Sequence, residues 1–281
     1  MKRTPISKRI FKSIFPFSER KKDEDKSPVF YRSYDSALRA SDGYEDDTLI
    51  TVVVEKAKKL QNTATIPRLD LTSLRTSIAL AASLNSSSLT VLDFGGGAGT
   101  HYFVAKTILS DAINLDWRVV ETRKMVREAI AQGLETEELR FYASIEEACS
   151  NSSVNLVFAS GSLQYTDQPY DHLSQLCAIQ ADCLMITRTP ISDDEAIFLQ
   201  YSRLRDNGWG EIPRELNIED RIISYPVTIL DREKTEALLQ TFGEITVNIQ
   251  EDKSAYRNRS SSYDMHGYLV RSHAIGAAST R

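Results

Sequence analysis

Cysteine is scarce in this chain of 281 residues, with three in all. Cys149, Cys177 and Cys183 include no Cys-x-x-Cys pair. That spacing argues against a disulfide framework and against a zinc site, so no metal is expected. Small buried thiols in a reducing compartment are the simplest use of the three. Internal repeats are absent. The opening segment MKRTPISKRIFKSIFPF has no continuous apolar run, so it is expected to be neither a membrane span nor a secretory signal. A dinucleotide fingerprint of the form Gly-x-Gly-x-x-Gly also fails, because counting from Gly95 puts Thr100 where the third glycine belongs.

Positive charge is in short supply outside one segment. The net charge is −5, yet residues 1–22 hold eight lysines or arginines against the single acid Glu19, a local balance of +7, so the remainder carries −12. An acidic body is a poor neutraliser of phosphates, and no nucleic-acid partner is expected. If helical, residues 1–22 gather Ile6, Ile10, Phe11, Ile14, Phe15 and Phe17 near one face, away from Lys8, Arg9 and Lys12. Such a stretch suits an anionic membrane surface, each cation adding about 1 kcal/mol near the headgroups. The expectation is a cytoplasmic protein resting peripherally on the inner face of a membrane. A loose tail, a helix docked on the protein itself and an organelle transit peptide remain the competing readings of this segment.

What the chain does have is the stretch Thr90 to His101, TVLDFGGGAGTH. An apolar run ends in an acid and then in glycines at alternate positions, Gly95, Gly97 and Gly99, with Gly96 between them. This reads as a buried parallel strand turning through a tight loop into a helix. Glycines let a ligand lie against bare main chain, and a helix beginning near Ala98 offers unpaired N–H groups. Asp93 stands two residues before the first glycine, where it would repel a pyrophosphate and welcome the amino group of an amino-acid moiety. The loop therefore suits S-adenosylmethionine (SAM) better than NAD. Downstream, Asp116-Trp117-Arg118-Val119-Val120-Glu121 is a short strand ending in an acid, near the offset of about 20 residues at which a carboxylate grips ribose hydroxyls. Glu121 fills that role.

These residues, with Phe158 to Tyr165 (FASGSLQY), Arg188-Thr189-Pro190 and Ser224-Tyr225-Pro226, resemble class I SAM-dependent methyltransferases. More narrowly they resemble a family of methyltransferases encoded beside bacterial surface-polysaccharide genes. The resemblance spans about residues 30 to 271. It implies a Rossmann-like class I methyltransferase fold of the α/β class: a seven-stranded, mostly parallel sheet with helices on both faces, preceded by an N-terminal helical segment. It implies S-adenosylmethionine as cofactor more firmly than it implies a reaction. Where many such enzymes carry an acid after the third strand to hold the adenine amino group, this chain has Ala143-Ser144, and Ser144 is the candidate replacement. The segment after the fourth strand, Ser160 to Tyr165, is implied to face the sulfonium and the acceptor, with Gln164 and Tyr165 as pocket floor.

Taken in order, residues 1–22 form the basic amphipathic segment and 23–85 a linker and helical cap. The cap has one helix through Leu49, Val52, Val53, Lys56 and Leu60 and another through Leu71, Leu74, Ile78 and Leu84. Residues 86–272 are expected to form the methyltransferase domain, with an acceptor-site insert at 191–230, and 273–281 a tail. Helices are expected over Ala98–Leu109, Met125–Gln132, Pro169–Ile179 and Glu233–Thr241. Strands are expected over Leu139–Ala143, Val154–Ala159 and Cys183–Thr187. Glu244–Gln250 and Tyr263–Arg271 read as a closing antiparallel hairpin. Arg188, at the carboxyl end of the fifth strand, reads as a fork for a carboxylate, a phosphate or a sugar acid, or else as a surface partner of Asp193 or Asp194. Trp209 and Tyr225 in the insert are candidates to stack on a sugar ring.

An oxygen or nitrogen acceptor must lose a proton, and His101 is the candidate base, with His172 ranked below it. The expected partner is a small-molecule or glycan acceptor, such as a sugar of surface-polysaccharide biosynthesis. Two rivals stay open: an NAD-linked oxidoreductase on sugar nucleotides and a non-catalytic binding protein of the same fold. The Tyr102/Lys106 pair follows the glycine loop too directly to serve a dehydrogenase. Neither Ser160 nor Ser162 has the flanking glycines of a hydrolase elbow.

Overall fold

A computed structural model describes residues 29–63, 70–150, 153–213, 215–257 and 262–273. The basic segment 1–22 lies outside the described residues, as does the tail beyond residue 273. In chain order the elements are β1 (Phe30–Tyr31), α1 (Tyr34–Leu38), α2 (Asp47–Gln61), α3 (Leu71–Ser83), β2 (Ser88–Phe94), α4 (Thr100–Ile108), β3 (Asn114–Val120), α5 (Arg123–Ala131), β4 (Leu139–Tyr142), α6 (Ile145–Cys149) and β5 (Leu156–Ser160). A 3-10 turn (Leu163–Tyr165) then leads into α7 (Pro169–Cys177), β6 (Cys183–Ser192), β7 (Ala196–Arg203), β8 (Ile222–Asp231), α8 (Arg232–Phe242), β9 (Gly243–Arg257) and β10 (Ser262–Ser272).

The helices begin where a short polar side chain satisfies the first free N–H groups. Asp46 accepts from Thr48 and Leu49 at 3.0 Å each and starts α2. Asp70 starts α3, Thr122 starts α5 and Ser144 starts α6 in the same way. Helix α4 has no such cap; Gly99 stands at its head.

The main sheet runs β4-β3-β2-β5-β6-β10-β9. β2 to β6 are parallel along this path, β10 lies antiparallel to β6, and β9 is antiparallel to β10. Both faces are covered, because neighbouring residues of a strand point to opposite sides. Val91 packs with α2, α3, α4 and α5 on one face, through residues such as Val53, Leu80, Ala105 and Met125. Leu92 packs on the other with Ala148, Leu173, Leu176 and Leu239 of α6, α7 and α8. The result is a three-layer α/β Rossmann-like sheet, with strand order reversing between β2 and β5.

Two expectations are corrected. The fifth strand of the parallel set does not stop at Thr187: β6 continues to Ser192, paired with β10 as far as Ile191 and with β8 at its last two residues. The insert 191–230, for which no strand is expected from the sequence, carries β7 and most of β8. β7 and β8 form an antiparallel pair from Ala196/Ile229 to Arg203/Ile222, and β1 pairs with β7. Next to this small extension, α1 reaches the segment after β5, where the Tyr34 hydroxyl donates to Tyr165 C=O. Among the described residues no helix is long and apolar enough to cross a membrane.

Candidate functional site

A cavity of about 670 Å³ opens where the strand order reverses, between the carboxyl ends of β2, β3, β4 and β5 and the segment Tyr34–Glu45. This is where ligands lie in parallel α/β sheets. Four of the residues singled out in the sequence, Gly95, Glu121, Ser144 and Tyr165, line it, together with Gly161, Ser162 and His172. Asp35, Asp42, Glu45, Glu121 and Asp167 all contribute to its wall, and among the described residues no lysine or arginine does.

Glu121 directly follows β3 and is held by main chain. Its Oε1 accepts from Gly97 N–H at 3.1 Å and its Oε2 from Thr122 N–H at 2.9 Å. Burial raises the carboxyl above its ordinary range, while these two N–H groups pull it back down. Gly95 turns at φ 68° toward Ser162, and a Cβ there would stand 2.2 Å from Ser162 Cβ. Only a bare main chain lets β2 and the segment after β5 approach this closely. Ser162 Oγ is buried and has no hydrogen-bond partner among the described residues. Ser144 lines the cavity while its Oγ accepts from Glu147 N–H at 3.1 Å.

Two rings, Tyr44 and Tyr165, form one wall, and a third, Tyr225, backs them. Tyr44 stacks on Tyr165 with centroids 5.4 Å apart and planes 15° apart, and it meets Tyr225 edge-on at 5.3 Å. Tyr165 meets Tyr225 edge-on at 5.4 Å. The hydroxyl of Tyr165 donates to Gln200 Oε1, Gln200 Nε2 donates to the Tyr225 oxygen, and Tyr225 donates to Asn207 Oδ1. Burial raises all three phenols, so they stay protonated and act as donors or as apolar faces, not as bases.

Several expected site residues lie elsewhere. Asp93 is fully buried beneath the loop instead of facing a ligand: Trp117 Nε1 donates to its Oδ2 at 3.0 Å, and His101 Nδ1 lies 3.0 Å from the same oxygen. Gly96 sits directly over this carboxylate, since a Cβ there would be 2.4 Å from Asp93 Oδ2. His101 is correspondingly no candidate base, being buried, bonded to Asp93 and edge-on to Phe158. Gly97 is backed by Val53 of α2 and Gly99 by Leu139, so these two shape the loop without lining the cavity. Ser160 is buried and accepts from Thr187 Oγ1 at 3.0 Å. Trp209 donates to Asp70, tying the β7–β8 connection to the head of α3. Tyr225 stands behind Tyr44 and Tyr165, with its hydroxyl spent on Asn207. Gln164 is buried, with Nε2 donating to Arg188 C=O at 3.1 Å and Oε1 without a partner among the described residues.

Sequence reasoning did not single out Tyr44 or the acids of the α1–α2 connection, and it ranked His172 below His101, which does not line the cavity. His172 lines the cavity and touches the ring of Phe94. Its Nδ1 donates to Gln168 C=O at 2.9 Å, which in the neutral ring leaves Nε2 as an acceptor. A histidine three residues after a helix-opening proline was the available signal. No periodic pattern marks Tyr44, whose place depends on contacts with residues far along the chain.

No family model matches this chain, and no curated protein matches it. Solved structures do resemble it. The N-terminal domain of EvdMO1, crystallised with SAH and D-fucose, is 12% identical with a TM-score of 0.47, over 79% of this chain and 96% of that one. The CcbJ methyltransferase from Streptomyces caelestis is also 12% identical, with a TM-score of 0.47, over 79% of this chain and 98% of that one. The [4+2]-cyclase SpnF is 11% identical with a TM-score of 0.48, over 88% and 98%. At such identities and scores these likenesses say nothing about chemistry, which rests on the geometry above.

Proposed function

We propose that this chain binds S-adenosylmethionine and transfers its methyl group to a small-molecule or glycan acceptor. The observation that carries the reading is the charge of the cavity: carboxylates on its wall, no lysine or arginine among the described residues, and a glycine turn at its base. A ligand bearing sulfonium and ammonium charges is attracted there, and the pyrophosphate of a dinucleotide is repelled. The bound cofactor would supply a methyl group on a positively charged sulfur. Glu121 would hold its ribose hydroxyls, the surface of Ser144 and Ile145 its adenine, and Gly95 and Ser162 its amino-acid end. The chain's own part in the reaction is to orient and to exclude water. Tyr44 and Tyr165 provide a rigid apolar wall, and His172 Nε2 replaces His101 as candidate proton acceptor. An acceptor from surface-polysaccharide synthesis, and attachment of residues 1–22 to an anionic membrane, belong to the same proposal.

Calorimetry decides it. S-adenosylhomocysteine (SAH), the demethylated product, should bind and NAD should not; heat with NAD alone would favour the oxidoreductase, and heat with neither would sink the cofactor assignment. Turnover against sugars, nucleotide sugars and lipid-linked glycans then separates an enzyme from a binding protein.

A further inference from the structure

Arg188 is the one non-glycine residue with a left-handed backbone among the described residues, at φ 55°. The kink falls inside β6, one residue past the end of its pairing with β5 at Ser160/Thr187. An L-residue keeps such a conformation only where its surroundings enforce it. Here two side chains from distant segments do so. Gln164 Nε2 donates to the Arg188 carbonyl at 3.1 Å, and the Arg188 N–H donates to Glu251 Oε1 at 2.7 Å. Glu251 is itself anchored by an ion pair with the buried Arg75.

The effect is to lay the Arg188 side chain across Gly161, a residue of the cavity wall. A Cβ on Gly161 would stand 3.1 Å from the guanidinium carbon. The guanidinium charge is felt by Tyr44, Tyr165 and Tyr225, where it opposes the upward push of burial on each phenol. Arg188 is half-buried, yet its side chain has no carboxylate and no hydrogen-bond partner among the described residues. Every other described lysine or arginine that is shielded from solvent has one, from Lys56 and Arg75 to Arg118, Lys124 and Arg271. Neither Asp193 nor Asp194 reaches it; Asp193 pairs with Arg232. Gln164 Oε1, buried beside the Arg188 main chain, is also unsatisfied.

We infer that Arg188 receives an anionic group of the acceptor, a carboxylate or a phosphate, so that the substrates of this site are acidic. The inference rests on the methyl-transfer reading for the word acceptor, but not for the anion site itself. Charge is divided across the site: carboxylates line the cavity that would hold a cationic cofactor, and a free guanidinium fork lies behind Gly161 and Tyr165. A planar fork of five donors fixed by a kinked backbone matches two oxygens of a carboxylate or phosphate.

The test is calorimetry on the full chain saturated with SAH, titrated with inorganic phosphate, glucuronate and, as the neutral control, glucose. At least one anion should bind and glucose should not. Arg188→Asn, which tolerates a left-handed backbone, should weaken that binding at least tenfold, and Arg188→Lys by less. SAH affinity should stay within twofold in both variants. Phosphate binding tighter than glucuronate assigns a phosphorylated acceptor, and the reverse order a sugar acid. An anion held equally by wild type and Arg188→Asn, or no anion bound at all, overturns the inference. If wild type fails to bind SAH, the cofactor reading falls instead, and the same anion titrations on the unliganded chain still decide the role of Arg188.

Discussion

The Nδ1 of His101 lies 3.0 Å from Asp93 Oδ2, eight residues back along the chain, and both side chains are shut beneath the glycine loop. With Trp117 donating to the same oxygen, the pair fixes the floor on which Gly96 rests. His101→Ala removes one of the two side-chain donors to a buried carboxylate, a loss of about 2 kcal/mol, and should lower Tm by several degrees. At a temperature where the variant is folded, its SAH affinity should be nearly that of wild type. An unchanged melting curve with abolished turnover would restore His101 to the chemistry.

Ser162 poses the opposite case. Its hydroxyl is buried with no partner among the described residues, next to Gly95 and on the cavity wall. A polar atom left this way costs stability in the unliganded protein and is recovered when a ligand supplies the partner. Ser162→Ala should therefore melt no lower than wild type, while SAH binding weakens by roughly two- to tenfold, the worth of one hydrogen bond at about 0.5–1.5 kcal/mol. Melting curves and titration of the same preparation check both halves, and a variant that loses stability but keeps its affinity contradicts the assignment.

The contrast between these residues also marks what a sequence can and cannot reveal. The strand, glycine turn and second acid were legible because they are local: an apolar run that stops at Asp93, close-spaced glycines, and Glu121 at the end of the next strand. Which way Asp93 faces is not local. It depends on Trp117 and His101 converging from β3 and α4, and the same letters serve an outward or an inward carboxylate. The kink at Arg188 is equally hidden, since Gln164 and Glu251 hold it from 24 and 63 residues away. Strand β8 was missed because Pro226 sits in its middle, and proline argues against a central strand. The structure accommodates it: β6 reaches β8 only at Leu230 and Asp231, so at Pro226 only β7 lies alongside.

Gly95 and Gly133 both have left-handed backbones, at φ 68° and 74°, but differ in surroundings. A Cβ on Gly133 would meet nothing within 4 Å, whereas one on Gly95 would collide with Ser162. Gly133→Ala should then cost only backbone strain, about 1–2 kcal/mol, with SAH binding intact. Gly95→Ala adds a steric conflict inside the cavity and should abolish measurable SAH binding. Equal affinities in the two variants would mean that the base of the cavity is not where the cofactor lies.

Glu121 gives a prediction in pH. Burial raises its carboxyl, so the folded unliganded chain holds this proton to a higher pH than the unfolded chain does. On this group alone, stability is greatest below the ordinary carboxylate range and declines as pH rises through the raised value. Ribose hydroxyls donating to the carboxylate would favour its charged form and pull the value back down. SAH binding at mildly acidic pH should consequently release protons, and affinity should fall as pH drops through the raised value. Calorimetry in buffers of differing ionisation enthalpy measures the protons directly. In Glu121→Gln the release should vanish along with most of the affinity, while proton uptake on binding by wild type would exclude Glu121 as the group that holds the ribose.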